Sequence, residues 1–222
     1  VYLTAVPLVF MFARYVPRRP PARRGPAAGG AVPAAPARAN WLRIGLIYAL
    51  ALINMIFSML VPTRVPFLIE AQYGGGAFVI AFAMSVFTLG MFPTAAVFGR
   101  LRARFTARTL FAVGFAALGL GFAVQSLAQN LPMLIAGMSV AGAGFGVLMP
   151  NMNTSVLAAA PPHLRGRLSG GLVSAIFMGQ FLSPIFSQPL VDRYDIQTSF
   201  LISAGLAALV MLVCAAAAAF KR

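Results

Sequence analysis

The 222-residue sequence holds one cysteine (Cys214), one histidine (His163) and three acidic residues. A single cysteine excludes an intrachain disulfide and any cysteine-based metal cluster. A single histidine removes most zinc sites and the histidine-dependent hydrolytic triads. No Gly-x-x-x-x-Gly-Lys-Ser/Thr string occurs, so the usual phosphate loop for ATP is missing. No cofactor and no metal is expected. Charge is scarce as well: 9% of residues are charged, against roughly a quarter in soluble domains. Residues 109–164 pass 56 positions without one Asp, Glu, Lys or Arg. With 60% hydrophobic residues, too little polar surface remains to coat a soluble globule, and the chain calls for a bilayer.

What charge there is consists mostly of arginine, and its placement is informative. Six full-length apolar spans are expected over 41–61, 77–97, 108–127, 132–155, 168–190 and 197–220. Each is long enough at about 1.5 Å per residue to cross a hydrocarbon core of roughly 30 Å. If Arg14 onward is cytoplasmic, 15 of the 17 basic residues fall on the inner side, and only Arg64 and Arg193 fall outside. Glu70, Asp192 and Asp195 lie at the outer side. That asymmetry predicts a cytoplasmic C-terminus.

Residues 14–40 carry six prolines, three glycines and six arginines with no apolar periodicity, the composition of a flexible connector. The organisation expected is therefore the end of a truncated span over 1–15, a cytoplasmic Pro/Arg-rich linker over 16–40, and a six-helix bundle over 41–222. The linker arginines are read as a topology signal rather than a nucleic-acid surface.

The spans differ in polarity. Those over 108–127 and 197–220 are nearly all apolar and read as peripheral. The other four carry polar groups at depth: Asn54 and Ser58; Ser85 and Thr88; Ser139, Asn151, Asn153 and Thr154; Ser174, Gln180, Ser183 and Ser187. Polar side chains at depth face other helices or a wet cavity rather than lipid. Prolines interrupt the same four spans, at Pro62 and Pro66, Pro93, Pro150, and Pro184 and Pro189. In the 168–190 span, Gln180, Ser183 and Ser187 share one narrow face at 100° per residue, opposite Met178, Leu182 and Ile185. Substrate contact is expected from Asn54, Ser58, Ser85, Thr88, Gln180, Ser183 and Ser187.

Residues 99–108 read Gly-Arg-Leu-Arg-Ala-Arg-Phe-Thr-Ala-Arg. This resembles the loop signature of the major facilitator superfamily, Gly-x-Leu-x-Asp-Arg-x-Gly-Arg-Arg. Gly99, Leu101, Arg104 and Arg108 match; Ala103 stands where that family has Asp, and Thr106 and Ala107 replace Gly and Arg. A second string runs from Pro150-x-x-Asn153 through Pro161-Pro162-x-x-Arg165-Gly166-Arg167 to Gly179-Gln180-Phe181 and Pro184. It is similar to the stretch between the tenth and eleventh helices of the family's drug/proton antiporters. The resemblance implies that residues 1–15 end the sixth helix and that the six full spans are helices seven to twelve. They would form an inverted 3+3 repeat with the seventh, eighth, tenth and eleventh helices lining the cavity. It also implies gating or topology roles for Gly99, Arg104, Arg108, Arg165 and Arg167.

The expected fold is thus an all-α polytopic membrane protein, one half of a major facilitator carrier in a bacterial inner membrane. The expected function is secondary transport of a small, amphipathic molecule by alternating access, of the efflux or antiport type. Its partners would be the bilayer, a missing N-terminal half, the substrate and protons. A titratable group at depth is needed for proton coupling, and the spans hold none, so that group would sit in the other half. No enzyme is expected, because the spans bring no converging Asp, Glu, His or Lys. A non-transporting scaffold or assembly subunit and a sugar or metabolite uptake carrier are the alternatives.

Overall fold

The computed structural model describes residues 39–219. The truncated span expected over 1–15, nearly all of the linker expected over 16–40, and Lys221 and Arg222 lie outside these residues. Among the described residues, six helical spans are long and apolar enough to cross a membrane. They comprise α1 (Trp41–Ser58) with α2 (Leu60–Tyr73), α3 (Ala77–Ala96), α5 (Ala107–Ser126), α6 (Leu131–Ala159), α7 (Arg165–Arg193) and α8 (Ile196–Ala219). A short α4 (Phe98–Arg104) follows α3, and a 3-10 turn at Pro162–Leu164 leads into α7. The structure is all-α and polytopic.

Helix ends depart from the expected spans in one direction: three helices overrun. The first runs from Trp41 to Tyr73, 33 residues or about 50 Å at 1.5 Å per residue. Pro62 has no N–H for the Ser58 carbonyl, and the helix breaks at Met59, between α1 and α2. The chain resumes because Thr63 repairs the break: its N–H and its hydroxyl both donate to the Met59 carbonyl, at 3.2 and 2.6 Å. Arg64 therefore sits within a helix and not in an outer loop. Likewise Arg100, Arg102 and Arg104 lie on α4, and Arg165 and Arg167 form the first turn of α7.

Successive spans run in opposite directions. The Tyr73 hydroxyl donates to the Ala128 carbonyl at 2.9 Å and Gln197 Nε2 to the same carbonyl at 3.1 Å. The end of α2, the α5–α6 junction and the start of α8 thus gather at one end of the bundle. At the other end, Arg108 Nη1 donates to the Ala217 carbonyl at 2.7 Å, joining the start of α5 to the last turn of α8. The α1 helix packs on α7, and α3 packs on α6. Exchanging the first three spans for the last three interchanges these two pairs, as an inverted 3+3 arrangement requires.

Glycine decides how close α6 lies to its neighbours. A Cβ at Gly142 would collide with the Phe87 carbonyl oxygen of α3, and one at Gly146 with the Met91 carbonyl oxygen. On the opposite flank, a Cβ at Gly144 would stand 2.6 Å from the Gly114 carbonyl oxygen of α5. The Thr94 hydroxyl donates to the Ala143 carbonyl at 2.9 Å across the α3–α6 seam. Small residues let helices approach in hydrocarbon, where dispersion and short polar contacts supply the attraction. The core follows on this axis, with Phe115, Leu118, Phe122, Leu134, Met138, Leu148, Met152 and Phe200 fully buried.

Gly142→Leu should therefore force α3 off α6 and destabilise the bundle by about 3 kcal/mol or more, at or above the usual range for overpacking. Gly205→Ala on α8, where nothing lies within 4 Å, should be neutral or stabilising by up to about 1 kcal/mol. Thermal unfolding in detergent distinguishes the two, and equal shifts would refute the close-approach account.

Candidate functional site

The stripe of Gln180, Ser183 and Ser187 exists, but it faces α1 and α2 rather than open space. Ser183 is fully buried and its hydroxyl donates to the Ile56 carbonyl at 2.7 Å. Gln180 is half-buried, with Nε2 3.8 Å from the Met55 sulfur. Ser187 accepts from Arg64 Nη2 at 3.0 Å. The stripe continues at the other end of α7, where the Tyr48 hydroxyl donates to the Leu168 carbonyl at 2.6 Å. In this conformation these groups form a polar seam along the first helical span from Tyr48 to Arg64. The reason is physical: an amide or hydroxyl at depth gains most from the nearest carbonyl, and α1 offers one.

The exposed face of α7 lies about a quarter turn away. Ser174, Phe177, Phe181 and Gln188 stand there, with Phe177 62% and Phe181 70% exposed. On α3, Ser85 and Thr88 are exposed as expected, and their hydroxyls return to the Ala81 and Met84 carbonyls at 2.8 and 3.3 Å. Phe92, one turn beyond Thr88, is 73% exposed. On α6, Asn153 and Thr154 are exposed near the end of the helix and bond to the Met149 and Pro150 carbonyls. On α3 and α7 the exposed polar groups alternate with exposed aromatic rings, and α6 adds the Asn153 amide and Thr154 hydroxyl. By contrast, the exposed large side chains of α8 are leucine and valine, as lipid contact requires.

Asn54 and Ser58 are buried inside the bundle rather than exposed. Asn54 Nδ2 and Oδ1 and the Ser58 hydroxyl have no hydrogen-bond partner among the described residues. Asn151 and Ser155 on α6 repeat that situation: Asn151 Nδ2 donates to the Ala107 carbonyl at 2.9 Å, while Asn151 Oδ1 and the Ser155 hydroxyl are unpartnered. The two segments, Asn54-Met55-Ile56-Phe57-Ser58 and Asn151-Met152-Asn153-Thr154-Ser155, share Asn, Met and Ser at the same spacing. Sequence reasoning named Asn151, Asn153 and Thr154 as polar groups at depth but missed Ser155, which the repeated five-residue pattern would have found. It missed Arg64 by placing it in a loop.

The gating candidates lie together at the end of the bundle that carries α4. Arg104 and Arg108 line an open groove of about 960 Å³ with Arg43, Arg102, Thr106 and Ala218. Arg108 is committed to the end of α8, where a cation suits the helix dipole. Gly99 is exposed on α4. Arg165 and Arg167 are exposed at the start of α7, where the dipole disfavours a cation. At the opposite end of the bundle, the Asp195 carboxylate accepts from Thr198 and is held below its ordinary carboxylate value by those hydrogen bonds. Among the described residues, no group of three His, Cys, Asp or Glu side chains could hold a metal.

A family model described as Major Facilitator Superfamily matches residues 46–222. The chain is similar to the triacylglyceride transporter of Mycolicibacterium smegmatis, 32% identical over 130 residues, covering 57% of this chain and 23% of that protein. It is 31% identical over 130 residues to the niacin transporter NiaP of Acinetobacter baylyi, covering 59% of this chain and 29% of that protein. An uncharacterized MFS-type transporter of Mycobacterium tuberculosis, Rv1250, is 25% identical over 177 residues, covering 80% of this chain and 30% of its own length. The chain thus spans less than one third of each of these relatives.

Cysteine placed at 177 or 181 in a Cys214→Ser background should react readily with a membrane-impermeant thiol reagent. Cysteine at 183 should stay inert in the same conformation. Labelling at 183 with none at 181 would reverse the assignment of the open face.

Proposed function

Because the chain belongs to the major facilitator superfamily, we propose that it forms one half of a secondary transporter that moves a small amphipathic molecule by alternating access. The observation that carries this reading is that α3, α6 and α7 each leave polar groups exposed, on α3 and α7 beside exposed aromatic rings. Hydroxyls at Ser85, Thr88 and Ser174, the amide of Asn153, and the rings of Phe92, Phe177 and Phe181 suit a ligand with both polar and apolar parts. A companion half would close the opposite wall, with the substrate held between the two. Relatives named as triacylglyceride and niacin transporters support carriage of an organic molecule.

The buried groups have a different role in this reading. Gln180, Ser183 and Ser187 tie α7 to α1 and α2 in the present conformation, Asn54 and Ser58 are buried without partners, and all five reach substrate only when α1 and α7 re-pair. Unsatisfied buried groups cost about 1–3 kcal/mol each, so the Asn54–Ser58 and Asn151–Ser155 pairs favour a state that gives them partners. Gly99, Arg104, Arg108, Arg165 and Arg167 serve topology and gating on the cytoplasmic side of a bacterial inner membrane, where the linker and C-terminus also lie. Transport is of the efflux or antiport type. Its proton-coupling group belongs to the companion half, since the six spans hold no acid or histidine at mid-depth.

The full-length protein in proteoliposomes should move labelled amphipathic compounds along an imposed ion gradient, whereas the 222-residue chain alone should not. Thr88→Val and Phe181→Ala should reorder a panel of such compounds, shifting individual ratios by roughly ten-fold. The double substitution Arg104→Gln, Arg108→Gln should lower turnover or insertion and leave the ranking intact. A reordered panel from the arginine pair, with normal insertion, would count against this assignment.

A further inference from the structure

The Ser187 hydroxyl stands between two environments. It accepts from Arg64 Nη2 at 3.0 Å. It also lines a cleft of about 190 Å³ formed with Ile56, Phe57, Leu60, Phe186 and Leu206, between α1, the start of α2, α7 and α8. The cleft walls are hydrocarbon apart from Ser187 and Ser203, and the Ser203 hydroxyl is already donated to the Ser199 carbonyl at 2.8 Å. At 100° per residue Phe186 points about 140° away from Phe181, so the cleft opens on a different side of α7 from the proposed transport wall.

Arg64 is an unusual cation. Nη2 donates to two neutral acceptors, Ser187 Oγ at 3.0 Å and Gln188 Oε1 at 2.8 Å. Nε is buried without a partner. Asp192 is joined to this group only through Gln188, whose Nε2 donates to Asp192 Oδ1 at 2.7 Å. A half-buried guanidinium held only by neutral groups attracts an anion, and its planar fork matches a carboxylate.

We propose that the cleft and Arg64 form a binding site for a single-chain amphiphilic carboxylate, with the hydrocarbon tail in the cleft and the carboxylate on the guanidinium. The volume lies below the roughly 300–1,000 Å³ that drug-sized ligands fill. It suits one short chain rather than the paired chains of a phospholipid. The apolar walls reward each buried methylene, and the carboxylate supplies the counter-charge that Ser187 and Gln188 lack. The cleft lies apart from the exposed Phe177 and Phe181 rings, shares only Ser187 with the groups assigned to substrate on re-pairing, and does not depend on that assignment.

The test uses the full-length protein in phosphatidylcholine nanodiscs, with octanoate and its neutral isostere octanamide as probes. Apparent affinity is read from the ligand-dependent shift in unfolding temperature. Octanoate should bind at least about ten-fold more tightly than octanamide, the difference expected of hydrogen bonds to a charged group. Arg64→Gln should bring octanoate to the octanamide level, Arg64→Lys should restore part of the difference, and Leu206→Trp should weaken both probes. Equal binding of the two probes to the unsubstituted protein overturns the proposal, even if Arg64→Gln fails to fold. So does a lower unfolding temperature for ligand-free Arg64→Gln with octanoate affinity unchanged, which would make Arg64 a purely structural cation. Stabilisation by phosphatidylglycerol in the disc with no response to octanoate would assign the site to a two-chain lipid and likewise overturn it.

Discussion

Helices surrounded by hydrocarbon gain nothing by hiding apolar side chains from one another, so their attraction has to arise at short range. The close approach of α6 to α3 and α5 is that interaction here, and the rest of the bundle is arranged around it. Gly142 and Gly146 admit the α3 backbone on one flank, and Gly144 admits the α5 backbone on the other. Gly119 then brings α5 to within 3.3 Å of Ala204 and Ala207 on α8, measured from the position of an added Cβ. These four helices form a close-packed unit in which an added side chain at these glycines has nowhere to go.

The pairing of α1 and α2 with α7 works by another principle. Its contacts include hydroxyl, amide and guanidinium donors: Tyr48 to Leu168, Ser183 to Ile56, Gln180 to the Met55 sulfur, and Arg64 to Ser187 and Gln188. Each such bond is worth on the order of 1 kcal/mol net and can be exchanged for another acceptor nearby. Glycine seams resist sliding because backbones block one another, whereas polar seams can re-pair. The bundle therefore combines an inelastic block with a pair of helices able to change partners. The proposed alternation of access draws on that difference.

The spans were legible because long uncharged apolar runs have few interpretations. Helix ends were not. Pro62 and Pro66 read as the end of a span, yet Thr63 repairs the broken ladder and the helix continues to Tyr73. The shared face of Gln180, Ser183 and Ser187 was also readable from the 3.6-residue period. What that face meets was not, because periodicity orders residues around one helix and says nothing of its neighbour. Ser85 and Thr88 were expected to be accessible and are exposed; Asn54 and Ser58 carry the same chemistry and are buried. Arg108 illustrates the same limit, since its partner Ala217 lies 109 residues away in sequence.

The break at Met59 has a mechanical consequence. A continuous rod of 33 residues would pass a twist at one end straight to the other. Here the rod is jointed, and α7 grips it on both sides of the joint, through Ile56 before it and Arg64 after it. Pro62 leaves the Ser58 carbonyl without its helical N–H, so the ladder is thinnest beside Met59. The segment carrying Ile56 and the segment carrying Arg64 are thus each fastened to α7 by a bond of their own.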